Sequence, residues 1–237
     1  MELEDHMTVL VDHPYAKGEL TLIQRRKFAV GVDVGQAHDP TAICVASRID
    51  TTTATPQLAA ANPAKAPRYE VLHLQRLALG MPYPQQVDAI EAMLCRAPLN
   101  RLSPSLLVDY TGVGRPVFDM FAERRALRHA QGVVITGGRE TSGTRSGWSV
   151  PKAELVSKLQ ALLHSGLLKI AASLPDAAVL ARELQDFRVR FTESGNATFN
   201  AREGTHDDLV LALALAVFGL SRPNFAHHVP TEWARRK

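Results

Sequence analysis

Cysteine is scarce: among 237 residues there are two, Cys44 and Cys95, and they form no CxxC pair. A disulfide-stapled secreted scaffold is thereby excluded, and both thiols are expected to be free and buried, as in an intracellular protein. Long hydrophobic runs are missing as well. The longest, LVLALALAVFGL from Leu209 to Leu220, falls short of the roughly 18 residues a membrane span needs, so it reads as a core helix and no membrane partner is expected. No secretory leader is visible, because MELEDHMTVLVDHP is acidic and broken by Pro14. The chain has no GxxxxGK[ST], hence no P-loop, and no HExxH or other paired histidine spacing. TGVGRPV begins like a dinucleotide loop, but Val117 stands where the third glycine belongs. Nor does one sign of charge dominate. With 27 basic and 24 acidic residues the net charge is +3, which permits a nucleic-acid partner without demanding one.

What is present is an ordinary globular composition, 46% hydrophobic and 22% charged, long enough for one sizeable core. FAVGVDV (28–34) alternates and is valine-rich, so it predicts a strand; AICVAS (42–47) and RYEVLHLQRLAL (68–79) predict two more, completing a meander. The intervening Thr/Ala/Pro stretch, 50–67, has no period and predicts a long loop. Helices are expected over 85–97, 114–127, 150–166, 176–187 and 208–218, and buried strands over 105–110 and 132–137. Residues 138–149 are expected to be irregular, and 188–201 to form a hairpin turning at 194–196. The order predicts one α/β domain. Its mixed sheet has antiparallel first strands and parallel later ones, flanked by helices on both faces. Residues 1–27 are set aside as an extension, part of it read as vector-derived, and 221–237 as a basic tail.

The question raised by the first strand is why Asp33 interrupts an apolar run, since an unpaired acid there is costly to desolvate. Two further acidic positions answer it. Asp109 ends the strand LLVDY, and Asp207 and Asp208 open the last helix in GTHDDLVLALALA. Were these carboxylates to converge, they would raise one another's pKa, and hard divalent ions such as Mg²⁺ or Mn²⁺ would relieve the repulsion. Two such ions about 4 Å apart can activate a water and stabilise a phosphodiester's leaving oxygen. Each acid has a plainer role open to it. Asp33 could cap a turn, and Asp109 could start an Asx turn before TGVG, where Gly112 and Gly114 let the backbone bend. Thr205 to Asp208 fits a capping box. His206 flanks the acid pair and could contact a phosphate or orient a water.

Together GVDVGQAHDPTAICV, LLVDYTGVGRPVFDMF and GTHDDLVLALALAV resemble the nuclease domain of phage large terminase subunits, in the RNase H-like superfamily. The resemblance runs from about Phe28 to Phe218, so the expected nuclease domain is 28–220. It implies an RNase H-like fold and metal-dependent endonucleolytic cutting of concatemeric viral DNA during genome packaging. It also implies two Mg²⁺ or Mn²⁺ ions and 5′-phosphate and 3′-hydroxyl products. Carried over by position, Asp33 resembles the acid that bridges both metals, Asp109 the second ligand and Asp208 the third, with Asp207 as its substitute. Double-stranded DNA is the implied substrate. A packaging ATPase, small terminase and portal are the implied partners, and a host-cell cytoplasm the setting if the chain is viral. The Walker motif of full-length large terminases does not precede the nuclease here, so the chain is expected to be an excised domain or a stand-alone relative.

The segment GGRETSGTRSGWSVPK carries Arg139, Arg145 and Lys152 with little acid nearby. These three are expected to grip the DNA backbone without reading bases; the plainer reading is a solvated loop. Three other functions compete. A Holliday-junction resolvase or transposase-like nuclease would share the metal chemistry. An actin- or sugar-kinase-like ATP-binding domain could use GVDVG and DYTGVG as phosphate turns, although that architecture normally needs two domains. A packaging module that only binds DNA would have no use for clustered negative charge.

Overall fold

The computed structural model describes residues 3–13, 16–37, 39–53, 66–112, 114–144, 147–186, 188–191, 197–200 and 207–222. Two long strands open the chain, β1 (Leu3–His13) and β2 (Ala16–Asp33), followed by β3 (Ala42–Thr53) and β4 (Arg68–Arg76). Helices α1 (Tyr83–Leu94) and α2 (Leu99–Leu102) lead to β5 (Ser105–Asp109), α3 (Gly114–Ala122) and β6 (Gln131–Thr136). A short β7 (Ser142–Gly143) precedes β8 (Gly147–Pro151), α4 (Lys152–His164), β9 (Leu168–Ile170) and α5 (Ala177–Asp186). The hairpin β10 (Arg188–Phe191) and β11 (Ala197–Asn200) forms a separate two-stranded sheet before α6 (Asp208–Ser221).

The main sheet runs β7-β8-β6-β5-β2-β3-β4-β9, with β1 paired to β2. Strands β2, β3 and β4 are antiparallel neighbours, while β5 lies parallel to β2, β6 to β5 and β8 to β6. This is the expected mixed sheet, and helices cover both of its faces. Along β2 and one residue past its end the side chains alternate: Val30, Val32 and Val34 pack with residues of α1 and α3. Ala29 faces the opposite core, where α4, α5 and α6 lie. Gly31 is on that second face, and a Cβ there would come within 2.0 Å of the Ala212 carbonyl oxygen and 2.6 Å of the Ala216 nitrogen. The missing side chain lets α6, whose buried residues surround its whole circumference, lie directly on the strand.

Several expected boundaries move. The first strand begins at Ala16 rather than at 28, and the segment set aside as an extension contributes β1 and the start of β2 to the sheet. β3 continues to Thr53 because 49–53 pair with 22–26 of the lengthened β2. The rest of the expected loop, 54–65, lies outside the described residues. The segment 138–149 is not wholly irregular. Trp148 and Val150 alternate into the core, and β8 joins the sheet beside β6, while Gly143 makes room for the Trp148 ring. β9 pairs with β4, a strand too short to show a period in the sequence. α3 stops at Ala122, short of 127. Cys44 is buried as expected, whereas Cys95, at the C-terminal end of α1, is exposed. Among the described residues no helix is long and apolar enough to cross a membrane.

Candidate metal centre

Register brings the acids of distant segments together. Val32 pairs with Val108, so Asp33 and Asp109 follow side by side at the C-terminal ends of parallel neighbours. Both continue the side-chain row that faces α6: Ala29, Gly31 and Asp33 on β2, Leu107 and Asp109 on β5. α6 lies across these strands with its N-terminus at the same end, which carries Asp207 and Asp208 to the pair. Asp33 and Asp109 lie close enough for each to influence the other's protonation. The Asp33 carboxyl is pushed well above the usual carboxylate range, first by desolvation and then by the charges of Asp109, Asp208 and Asp207. Asp109 is raised too, mainly by desolvation, with Thr111, Asp33 and Lys152 pulling the other way.

Each acid is anchored locally. The turn after β2 is pinned by a buried network. Thr41 Oγ1 accepts the Gly35 N–H at 3.0 Å and lies 2.7 Å from Gln86 Oε1, while Gln86 Nε2 donates to the carbonyls of Gly35 (2.9 Å) and Met81 (2.8 Å). Asp109 Oδ1 accepts the Thr111 N–H at 2.7 Å, the Asx turn open to it from sequence. Beyond it Gly112 takes φ +57°, and a Cβ on Gly114 would fall 1.9 Å from the Asp109 carbonyl oxygen. Only glycine tolerates that approach.

α6 departs from the expected capping box. Asp207 occupies the N-cap position without a side-chain cap of its own. The first turn is capped instead by Glu183 of α5, whose Oε2 accepts the N–H groups of Leu209 at 3.0 Å and Val210 at 3.1 Å. Glu183 also pairs with Arg76, and the same Nη2 of Arg76 donates to Asp208 Oδ2 at 3.1 Å. Desolvation is the largest influence on Glu183 and lifts its carboxyl to about 7. Lys152 Nζ, at the start of α4, donates to Asp207 Oδ2 at 2.8 Å.

Asp33, Asp109, Asp207, Asp208 and Glu183 thus share one end of the sheet with Arg76 and Lys152. Among the described residues no three His, Cys, Asp or Glu side chains are drawn close enough to form a ready-made metal cage. Asp208 is paired with Arg76 and Asp207 with Lys152. The donor set nevertheless suits a hard divalent cation, being all carboxylate oxygen with an excess of negative charge. Of the residues singled out from sequence, Asp33, Asp109, Asp207, Asp208 and Lys152 stand at this end of the sheet. Arg139 is exposed beyond β6, and Arg145 and His206 lie outside the described residues. Arg76 and Glu183 were not anticipated. Arg76 sits two residues after Leu74 on the core-facing row of β4, which is the one sequence cue to its direction.

No protein-family model matches the sequence, and no curated protein matches it. Solved structures do. The large terminase nuclease of thermophilic phage G20c with bound magnesium superposes with a TM-score of 0.51 at 20% identity, over 81% of this chain and 85% of that one. The cobalt-bound form of the same nuclease gives the same values. The chain therefore has the RNase H-like fold of that nuclease, a mixed sheet between two helical layers.

Proposed function

We propose that this chain is a divalent-metal-dependent DNA endonuclease of the large-terminase type. The observation that carries the reading is the pairing of Asp33 with Asp109 at adjoining strand ends, with the acids that open α6 adding to the field on Asp33. A half-buried charge among like charges has no structural benefit, whereas a cation-binding role explains it. In this reading Asp33, Asp109 and Asp208 would hold two Mg²⁺ or Mn²⁺ ions. Magnesium and cobalt are bound by the G20c nuclease, which shares the fold. When bound, the ions supply an activated water and stabilise the departing 3′ oxygen of a phosphodiester.

The chain's own groups do the rest. The fixed turns after β2 and β5 hold the two strand-end carboxylates without freedom to follow a misplaced ligand. Lys152 neutralises phosphate charge beside Asp207, and Arg139 and Arg145 extend that grip along the backbone. The substrate is double-stranded DNA inside a cell, a host-cell cytoplasm if the chain is viral. A packaging ATPase, small terminase and portal are the partners the resemblance implies.

Incubating the purified chain with linear duplex, supercoiled plasmid and a four-way junction in Mn²⁺ tests the reading. The expected result is cleavage of the duplexes that chelator stops and Asp33→Asn abolishes. Selective cutting of the junction would transfer the assignment to a resolvase. Undiminished cutting by folded Asp33→Asn would end the nuclease assignment for this site.

A further inference from the structure

Asp33, Ala42 and Arg76 are successive register partners across β2, β3 and β4. Ala42 is fully buried and presents only a methyl group, so no bulk separates Arg76 from the acids. The Arg76 Nη2 bridges two carboxylates on different helices, Glu183 on α5 and Asp208 on α6. The Nε of the same guanidinium is buried and makes no hydrogen bond among the described residues. Glu183, in contrast, is rooted, because its other oxygen holds two N–H groups of α6. Asp176 also faces this strand end, its Oδ2 accepting the Arg76 backbone N–H at 2.9 Å.

We propose that Arg76 is an exchangeable counter-cation for Asp208, and that Glu183 is the positioning residue that receives it when a divalent cation takes Asp208. The inference rests on the metal-centre reading above and deepens it. A doubly charged ion at Asp208 repels a guanidinium 3.1 Å away from the same carboxylate. Glu183, fixed by the helix it caps, keeps Arg76 paired through the exchange, so the guanidinium is never left buried without a counter-charge. Metal affinity at Asp208 is then set by a competition inside the protein. This also accounts for the acids not being gathered into a cage while Arg76 holds Asp208.

The test is Mn²⁺ titration by calorimetry on wild type, Arg76→Met, Glu183→Gln, the double variant and Asp33→Asn, with folding checked by circular dichroism. Arg76→Met is expected to bind Mn²⁺ about tenfold more tightly and Glu183→Gln about tenfold more weakly, within the usual range of coupling between sites. The double variant separates exchange from plain loss of charge: Glu183→Gln should weaken binding only while Arg76 is present. An equal loss in both backgrounds, or unchanged affinity in folded Arg76→Met, overturns the exchange. Should Arg76→Met not fold, Arg76→Gln carries the same expectation and the same overturning result. If wild type binds Mn²⁺ and Asp33→Asn does not, the metal centre stands whatever the Arg76 variants do. If wild type binds none, both readings fall.

Discussion

Gly31 on β2 lies so close to Ala212 of α6 that a Cβ at Gly31 would stand 2.0 Å from the Ala212 carbonyl oxygen. The strand and the helix are therefore in backbone contact two residues before Asp33 and one helical turn after Asp208. Gly31→Ala must push α6 outward, because the two nearest atoms, the Ala212 carbonyl oxygen and the Ala216 nitrogen, are backbone atoms that cannot swing aside. Overpacking of this kind costs about 3 kcal/mol or more. Urea denaturation should report that loss, and Mn²⁺ affinity should fall with it because Asp208 moves away from Asp33.

Asp33→Asn separates stability from activity. The carboxyl is raised by desolvation and by three neighbouring carboxylates, so the neutral amide removes an unfavourable charge. The chelated variant should melt at a higher temperature than wild type at pH 8. Its cleavage rate should drop by more than about 100-fold, since even the loss of groups that merely support a metal ligand costs 10–100-fold. Differential scanning calorimetry beside a plasmid-cutting assay measures both, and a variant less stable than wild type would contradict the electrostatic account.

The sheet's central strands were legible because their signals are local. Valine alternation marks β2, AICVAS marks β3, and the closed apolar run SLLVD marks β5, so the adjacency of Asp33 and Asp109 follows from ordinary mixed-sheet topology. That the two acids share a face emerged only from the strand register. Arg76 and Glu183 were not legible. LHLQRLAL presents its arginine like any strand-edge cation, and LARELQDF presents its glutamate like the wet side of an amphipathic helix. Glu183 and Asp208 stand 107 and 132 positions from Arg76 in the chain, and no local pattern encodes a contact at that separation. The cap of α6 was misplaced for the same reason. A capping box is a sequence motif, whereas Glu183 caps the helix from another element. β8 was masked by its glycines, which serve the Trp148 ring rather than a loop.

The metal-free protein should lose stability as pH rises from 5 to 8. The Glu183 carboxyl sits at about 7 in the folded state against an ordinary value of 4.5. A raised acid contributes stability that is complete below its unfolded value and disappears as pH climbs through its folded one. Asp33 and Asp109 are raised and act in the same direction. Melting temperatures in chelator should therefore decline across this window, and Glu183→Gln should flatten the decline. Added Mn²⁺ should counteract it, because a cation favours the ionised acids. A melting temperature that rises with pH in chelator would contradict the assignment of these groups.

Asp207 and Asp208 are neighbours in sequence but differ in setting, and the difference decides which one the chemistry needs. Asp208 is buried, 3% exposed, and held by the Arg76 guanidinium. Asp207 keeps about a fifth of its side chain accessible and pairs with Lys152. The pair is partly buried, but Asp207 also repels Asp33, so losing the one offsets relief of the other and Asp207→Asn should leave folding nearly unchanged. It should also release Lys152 toward a DNA phosphate, strengthening duplex binding at low salt. Lys152→Met should do the opposite and reduce the slope of log affinity against log salt by about one phosphate contact. Asp208→Asn, by contrast, should lose Mn²⁺ binding and cleavage together. Fluorescence anisotropy across a salt series, paired with cleavage rates, reads all three variants. If Asp207→Asn abolishes cutting while Asp208→Asn retains it, the third ligand is Asp207, and the Arg76 bridge to Asp208 is structural.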